Sequence, residues 1–171
     1  MQERILTIKE QSLVADRVYR LVLSGDVSAI TTPGQFINIA LDGFFLRRPI
    51  SVCDVNDGSV TILYKRVGHG TELLSGLMDG TELNVLTGLG NGFDTKKSGL
   101  RPLLIGGGIG SAPMLMLAKR LIAEGKSVTA VLGFNSSADV ILENELKALG
   151  NGIEVMVMTA DGSYGRKGMV T

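Results

Sequence analysis

The sequence predicts two consecutive folds, an antiparallel β-barrel over residues 1–98 and a partial doubly wound α/β parallel sheet over residues 99–171. Three observations predict it. Up to Ser98, apolar and polar residues alternate in short runs closed by turn signals, the period of half-buried strands. After Gly99 the period lengthens, and compact apolar strands alternate with amphipathic helices. The 23 glycines, set against four prolines and no tryptophan, fit tight turns and close backbone approaches better than disorder.

Six strand-like runs fill the first part: ERILTIKEQSLVA, VYRLVLSG, GQFINIAL, RPISVCDV, SVTILYKRV and GTELNVLTGLG. Ser24-Gly25-Asp26, Pro33-Gly34, Asn56-Asp57-Gly58 and Asp79-Gly80 punctuate them. Strands at that spacing predict a small closed barrel. One helix-like insert runs from Thr71 to Met78, with Thr71 as its N-cap. In the second part, RPLLIGGG reads as a strand, APMLMLAKRLIAEG as a helix and SVTAVLGF as a second strand. ADVILENELKALG reads as a second helix and IEVMVMTA as a third strand. Strand, helix, strand, helix, strand predicts a parallel sheet, and the boundary falls in a short turn near 96–101. Met114, Leu117, Leu121 and Ile122 are expected to form the core face of the first helix.

Composition bounds the function. The chain has 171 residues, 44% hydrophobic and 20% charged, enough for one good core or two small ones. Its 17 basic and 17 acidic residues balance, which argues against broad capture of nucleic acid or of an anionic membrane. No apolar run is long enough to span a bilayer and no leader pattern is visible, so the expectation is a cytoplasmic protein. Cys53 is the only cysteine, which excludes an intrachain disulfide and an iron–sulfur site built from these residues. It reads as a small buried hydrophobe.

Three stretches bear chemistry. In FFLRRPISVCD, Arg47 and Arg48 stand directly before a strand. They are either solvated charges or, with Pro49 stiffening the approach and Ser51 alternating onto the Pro49 face, a fork for an anion. VGHGT, Val67 to Thr71, adds glycines and a threonine at the start of a helix, a second anion-friendly amide cluster. His69 within it reads as exposed. GGGIGSAP, Gly106 to Pro113, lies between a strand and a helix, where backbone amides can hold a diphosphate. It fails the G-x-G-x-x-G fingerprint, because the third position is Ser111 from Gly106 and Pro113 from Gly108. A plain glycine turn into a helix begun by Pro113 is the alternative.

RRPIS, LYKRVGHGT, LIGGGIGSAPM and ADGSYGRKGMVT, in that order, resemble the ferredoxin reductase superfamily. The chain is most similar to the electron-transfer subunits of class 1B dihydroorotate dehydrogenases. The resemblance implies an FAD-binding barrel in which Arg48 neutralises the diphosphate and Pro49, Ile50 and Ser51 line the isoalloxazine. It implies that Leu63, Tyr64 and Lys65 pack against the flavin and its ribityl chain, Tyr64 being otherwise an ordinary strand aromatic. Gly70 and Thr71 would form the diphosphate-binding turn. Gly106, Gly107, Gly108, Ile109 and Gly110 would carry a transient NAD, with Pro113 completing the family's G-G-G-x-G-x-x-P variant. No arginine occurs in Gly133-Phe134-Asn135-Ser136-Ser137 to grip a 2′-phosphate, which favours NAD over NADP. Asp161 to Gly165 resembles a nicotinamide-side turn, or is an ordinary polar turn. The family also implies a hetero-oligomer with a catalytic dehydrogenase subunit. It further implies a two-iron, two-sulfur cluster, whose cysteines are absent here. Only three parallel strands are recognisable, as in a chain shortened at its C-terminal end, with the inner edge of the first strand unpaired. The flavin subunit of a ferredoxin:NADP transhydrogenase or hydrogenase diaphorase, and a flavin-binding fragment without turnover, are the alternatives.

Overall fold

The computed structural model describes residues 1–170. The chain divides between Gly92 and Phe93 into two compact units.

In the first unit, six antiparallel strands close a barrel: β1 (Gln2–Ala15), β2 (Val18–Ser24), β3 (Phe36–Ile39), β4 (Arg48–Asn56), β5 (Ser59–Lys65) and β6 (Glu82–Leu89). Their spatial order is β1-β2-β5-β4-β3-β6, and β1 closes the ring on β6 from Gln2–Thr87 to Thr7–Glu82. Alternation does the work the sequence predicts. Leu6, Ile8, Leu21, Leu23, Ile37, Ile39, Val60 and Ile62 are almost completely buried and form the core. Cys53 is buried with them and forms no disulfide.

The insert helix α1 spans His69–Ser75, shorter than the expected Thr71–Met78. Gly68, not Thr71, is its N-cap, and Thr71 stands third in the helix. The Thr71 hydroxyl reaches backwards, accepting from the N–H groups of Val67 (3.0 Å) and Gly68 (3.2 Å) and donating to the Gly68 carbonyl (2.9 Å). A helix can thus begin two residues before the side chain that ties its entry.

The second unit holds β7 (Leu103–Gly107), α2 (Met114–Ala123), β8 (Val128–Phe134), α3 (Glu143–Lys147), β9 (Ile153–Thr159) and β10 (Arg166–Lys167). Its sheet has the order β10-β9-β8-β7, with β7, β8 and β9 parallel. Among the described residues β7 pairs with β8 alone. Segment 94–98 belongs to this unit: Lys126 Nζ donates to Ser98 Oγ at 2.9 Å and Thr95 Oγ1 donates to Glu124 at 2.7 Å. Met114, Leu117 and Leu121 are buried as expected for the core face of α2, while Ile122 is only partly covered. The second helix departs from expectation. It contracts to Glu143–Lys147 because Leu142, at φ 64°, takes a left-handed conformation that interrupts the run after a 3-10 turn at Ser137–Asp139.

Candidate functional site

The two adjacent arginines part at the start of β4. Arg47 turns to neighbouring strands: its guanidinium donates to the Asn84 carbonyl at 3.2 Å and to the Asn38 carbonyl at 3.5 Å, and pairs with Glu3 at 3.2 Å. It fastens β1, β3 and β6 outside the barrel core. Its charge is answered within the fold.

Arg48 has no acidic partner among the described residues. One Nη donates to the Leu46 carbonyl at 2.5 Å, and the guanidinium carbon lies 4.7 Å from the Phe44 ring centroid, a cation–π contact. On its other side is Gly70. A Cβ there would fall on Arg48 Nε and lie 2.6 Å from Nη2 and 2.7 Å from Cζ. Glycine is required because the guanidinium rests on the α1 backbone. The remaining N–H donors of the fork make no hydrogen bond to a described residue, so a half-buried cation stands with donors to spare. That is what a phosphate or diphosphate needs.

Pro49 and Ser51 are exposed on one face of β4, while Ile50 is half-buried on the Arg48 face. Across the ladder Pro49 faces Asn38 and Ser51 faces Phe36. Leu63 is buried. Tyr64 is 3% exposed, shares the face of Val60 and Ile62, and stacks on Tyr19 with ring centroids 5.6 Å apart. Its hydroxyl donates to Gln11 Oε1 at 2.9 Å, and Gln11 in turn donates to the Leu74 and Leu77 carbonyls. Burial, reinforced by Tyr19, pushes the Tyr64 phenol well above its ordinary value. Tyr64 is thus anchored to the end of α1, while Lys65 is half-buried at the strand end. Of the amides expected in VGHGT, those of Val67 and Gly68 are occupied by Thr71. The His69 side chain is exposed, its Nδ1 3.9 Å from Glu72. The Arg48 guanidinium resting on Gly70 adds a charged donor group to this turn.

In the second unit the glycine loop follows β7 directly. Gly108 to Ser111 form a 3-10 turn that runs through Ala112 and Pro113 into α2, Pro113 lying just before its first residue. Ser111 is fully buried, its Oγ has no hydrogen-bond partner, and a Cβ on Gly106 would lie 2.8 Å from that Oγ and 2.9 Å from the Ser111 Cα. The fingerprint's third glycine is dispensable for this reason: Gly106 supplies the clearance that lets strand and helix approach. Gly108, at φ 51°, and Gly110 have open space where a Cβ would be, and Ile109 is exposed, so this backbone can be approached closely.

The loops after β8 and β9 are joined. The Ser137 N–H donates to Ser163 Oγ at 2.8 Å, and Asp161 N–H donates to the Asn135 carbonyl. Asp161 accepts from the Ser163 N–H and hydroxyl, which hold its carboxyl below its ordinary value. Gly165, at φ 63°, closes the turn against the Val157 carbonyl. Val170 then crosses above Gly133, where a Cβ would lie 2.5 Å from its Cγ1. The sequence gives no sign of this return, since the contact is made by a residue distant in the chain.

Among the described residues no group of three or more His, Cys, Asp or Glu side chains could hold a metal ion. No helix among them is long and apolar enough to cross a membrane. An iron–sulfur cluster therefore finds no ligand set in these residues.

No family model matches the chain. A dihydroorotate dehydrogenase B (NAD(+)) electron transfer subunit from Bacillus velezensis is 43% identical over 179 aligned residues, covering all of this chain and 69% of that protein. The protein of the same description from Shouchella clausii is 45% identical over 97% of this chain and 66% of its own length. The chain thus spans about two thirds of the curated relatives it matches. Among solved structures, an NADH-dependent reduced ferredoxin-NADP oxidoreductase superposes with a TM-score of 0.84 at 32% identity, over 95% of this chain and 59% of that one. A ferredoxin reductase of carbazole 1,9a-dioxygenase gives 0.85 at 23% identity, over 98% and 54%, a likeness of fold. With full coverage of this chain at such identity, and with barrel and parallel sheet in place, the chain belongs to the family of dihydroorotate dehydrogenase B electron transfer subunits, within the ferredoxin reductase-like flavoproteins.

Proposed function

We propose that this chain binds FAD in its barrel and carries electrons between NAD(H) and a catalytic dehydrogenase subunit, as part of a dihydroorotate dehydrogenase in pyrimidine biosynthesis. The observation that carries the reading is Arg48: a half-buried guanidinium without an acidic partner among the described residues, laid on Gly70 and flanked by a strand that exposes Pro49 and Ser51. These residues fit a flavin dinucleotide. Arg48 would neutralise the diphosphate beside Gly70 and Thr71, and Pro49, Ile50 and Ser51 would line the isoalloxazine. Leu63, Tyr64 and Lys65 would back it from β5, Tyr64 by fixing that strand end rather than by offering its hydroxyl, which Gln11 already takes.

A bound flavin supplies the redox chemistry; the protein's part is to bind, orient and tune it. In the second unit the open backbone from Gly106 to Gly110, continued by Pro113, is suited to a nucleotide diphosphate. The end of β8 and the loop after it, Gly133 to Ser137, hold no arginine to grip a 2′-phosphate, which favours NAD over NADP. The likeness to the ferredoxin-NADP oxidoreductase supports a second reading, the flavin subunit of a transhydrogenase, which the identity of the partner would decide.

The test is a titration of the purified chain with FAD, followed by the change in flavin fluorescence, for the wild type and Arg48→Ala. The wild type should saturate, and the variant should bind about 10-fold or more weakly, the loss expected for a charge-assisted contact. Equal affinities would remove Arg48 from the site.

A further inference from the structure

We propose that Gln11 is a positioning residue for flavin binding: it fastens α1 to the barrel so that Gly70 holds the Arg48 guanidinium in place. This rests on the reading of Arg48 as the diphosphate contact.

The side chain owes its place to an irregularity in β1. Leu6 and Ile8 are buried in the barrel, and strict alternation would send Glu10 and Ser12 after them and turn Gln11 outward. The register slips instead between Ile8 and Glu10. Ile8 lies opposite Leu23 and Gln11 opposite Leu21, three steps of β1 against two of β2. Leu21 and Leu23 are both fully buried, so the extra residue brings Gln11 onto the inner face. An amide aimed there needs partners.

Gln11 finds them on two elements. Its Nε2 donates to the Leu74 carbonyl at 3.2 Å and to the Leu77 carbonyl at 3.3 Å, in the last turn of α1 and just beyond it. Carbonyls only accept, so the amide has one orientation, with Oε1 towards the Tyr64 hydroxyl that donates to it at 2.9 Å. One side chain therefore joins β1, β5 and the end of α1. Within α1, Gly70 and Leu74 are the buried residues, one turn apart on one face. The contacts run from β1 through Gln11 to the Leu74 carbonyl, back one helical turn, and end at Gly70. There the Arg48 guanidinium lies closer than a methyl group would allow, so a small tilt of α1 displaces it.

The experiment compares the purified wild type with Gln11→Leu, Gln11→Glu, Arg48→Ala and the double variant Gln11→Leu/Arg48→Ala. Arg47→Ala is the control for loss of stability. Flavin fluorescence reads FAD affinity, urea midpoints read folding, and amide hydrogen exchange without flavin reads the protection of α1. Gln11→Leu removes both bonds to α1, whereas Gln11→Glu keeps an acceptor for Tyr64 but has no donor for the carbonyls. Each should weaken FAD by about 5- to 30-fold, the equivalent of one or two neutral hydrogen bonds, and speed exchange in α1. In the Arg48→Ala background, Gln11→Leu should change FAD affinity by less than about 2-fold, because it acts through the arginine. Arg47→Ala should lower the midpoint alone. Wild-type FAD affinity or wild-type exchange of α1 in Gln11→Glu would overturn the proposal, a test that stands even if Gln11→Leu does not fold. Additive losses in the double variant would also overturn it, as would an equal loss of affinity in Arg47→Ala, since the glutamine would then merely stabilise the barrel. If Arg48→Ala itself leaves FAD affinity unchanged, the underlying site assignment fails and the role of Gln11 falls with it. If Arg48→Ala weakens FAD while the Gln11 variants do not, only the positioning proposal fails.

Discussion

Replacing Gly70 by alanine separates the site from the fold more cleanly than removing the arginine does. A methyl group at this position would fall on Arg48 Nε and lie 2.6–2.7 Å from Nη2 and Cζ, too close for any of them to stay. The guanidinium must move, losing its bond to the Leu46 carbonyl and its contact with Phe44. Together these are worth about 2 kcal/mol at a partly exposed site. Against this, alanine in place of glycine inside a helix contributes up to about 1 kcal/mol. The unit should therefore stay folded, with a urea midpoint close to that of the wild type. Binding should change far more: moving the cation away from a diphosphate forfeits about 1.5–3 kcal/mol, roughly 10- to 100-fold in FAD affinity. Gly68→Ala is the control, because nothing lies within 4 Å of its added methyl and its extended backbone suits any residue. Flavin fluorescence titration reads all three proteins. If Gly70→Ala binds FAD as tightly as Gly68→Ala, the contact between Arg48 and the α1 backbone has no part in the site.

Arg47→Ala should do the reverse of Arg48→Ala, costing about 1–2 kcal/mol of barrel stability through lost bonds to Asn84 and Glu3 while leaving FAD affinity unchanged in a parallel titration. In the second unit, Gly106→Ala collides with the Ser111 backbone and should destabilise that unit by about 1–3 kcal/mol, seen as faster proteolysis. Gly110→Ala meets no protein atom, so it should resist proteolysis like the wild type yet weaken NADH binding by blocking close approach to the loop. Asp26 has its carboxyl lowered from 3.8 to about 2, chiefly by the Ser28 hydroxyl and N–H and then by Arg4. A depressed folded-state value means stabilisation that is complete above the unfolded value and lost as pH falls from about 4 towards about 2. The advantage of the wild type over Asp26→Ala in urea unfolding should accordingly shrink across that window; a constant difference would show that the carboxylate's charge is irrelevant.

Much of the fold is legible in the residues because it is written in short-range alternation. All six barrel strands and the three parallel strands β7, β8 and β9 lie where period and turn signals place them. What escaped depends on contacts distant in sequence or on single backbone angles. β10 is two charged residues paired to β9, without any apolar pattern to announce it. The second helix is cut short by one left-handed leucine, Leu142, in a run that otherwise reads as continuous. The candidate site divides in the same way. From sequence alone Arg47 and Arg48 are equivalent, and only the resemblance selects Arg48. What distinguishes them physically is that Arg47 reaches Asn84 and Glu3, 37 and 44 positions away, as well as Asn38, whereas Arg48 is held by Phe44, Leu46 and the bare backbone of Gly70. Ser111 at the failed fingerprint position becomes intelligible only when Gly106 is seen against it.

The measurement that bears most directly on the account is the visible absorption spectrum of the purified chain after incubation with FAD and removal of the unbound cofactor. The expected result is a yellow protein with a flavin spectrum, which releases FAD on denaturation and loses its colour on substitution of Arg48 by alanine. A wild-type chain that stays colourless would contradict it, leaving Arg48 held only by Phe44, Leu46 and Gly70 and the barrel without its cofactor.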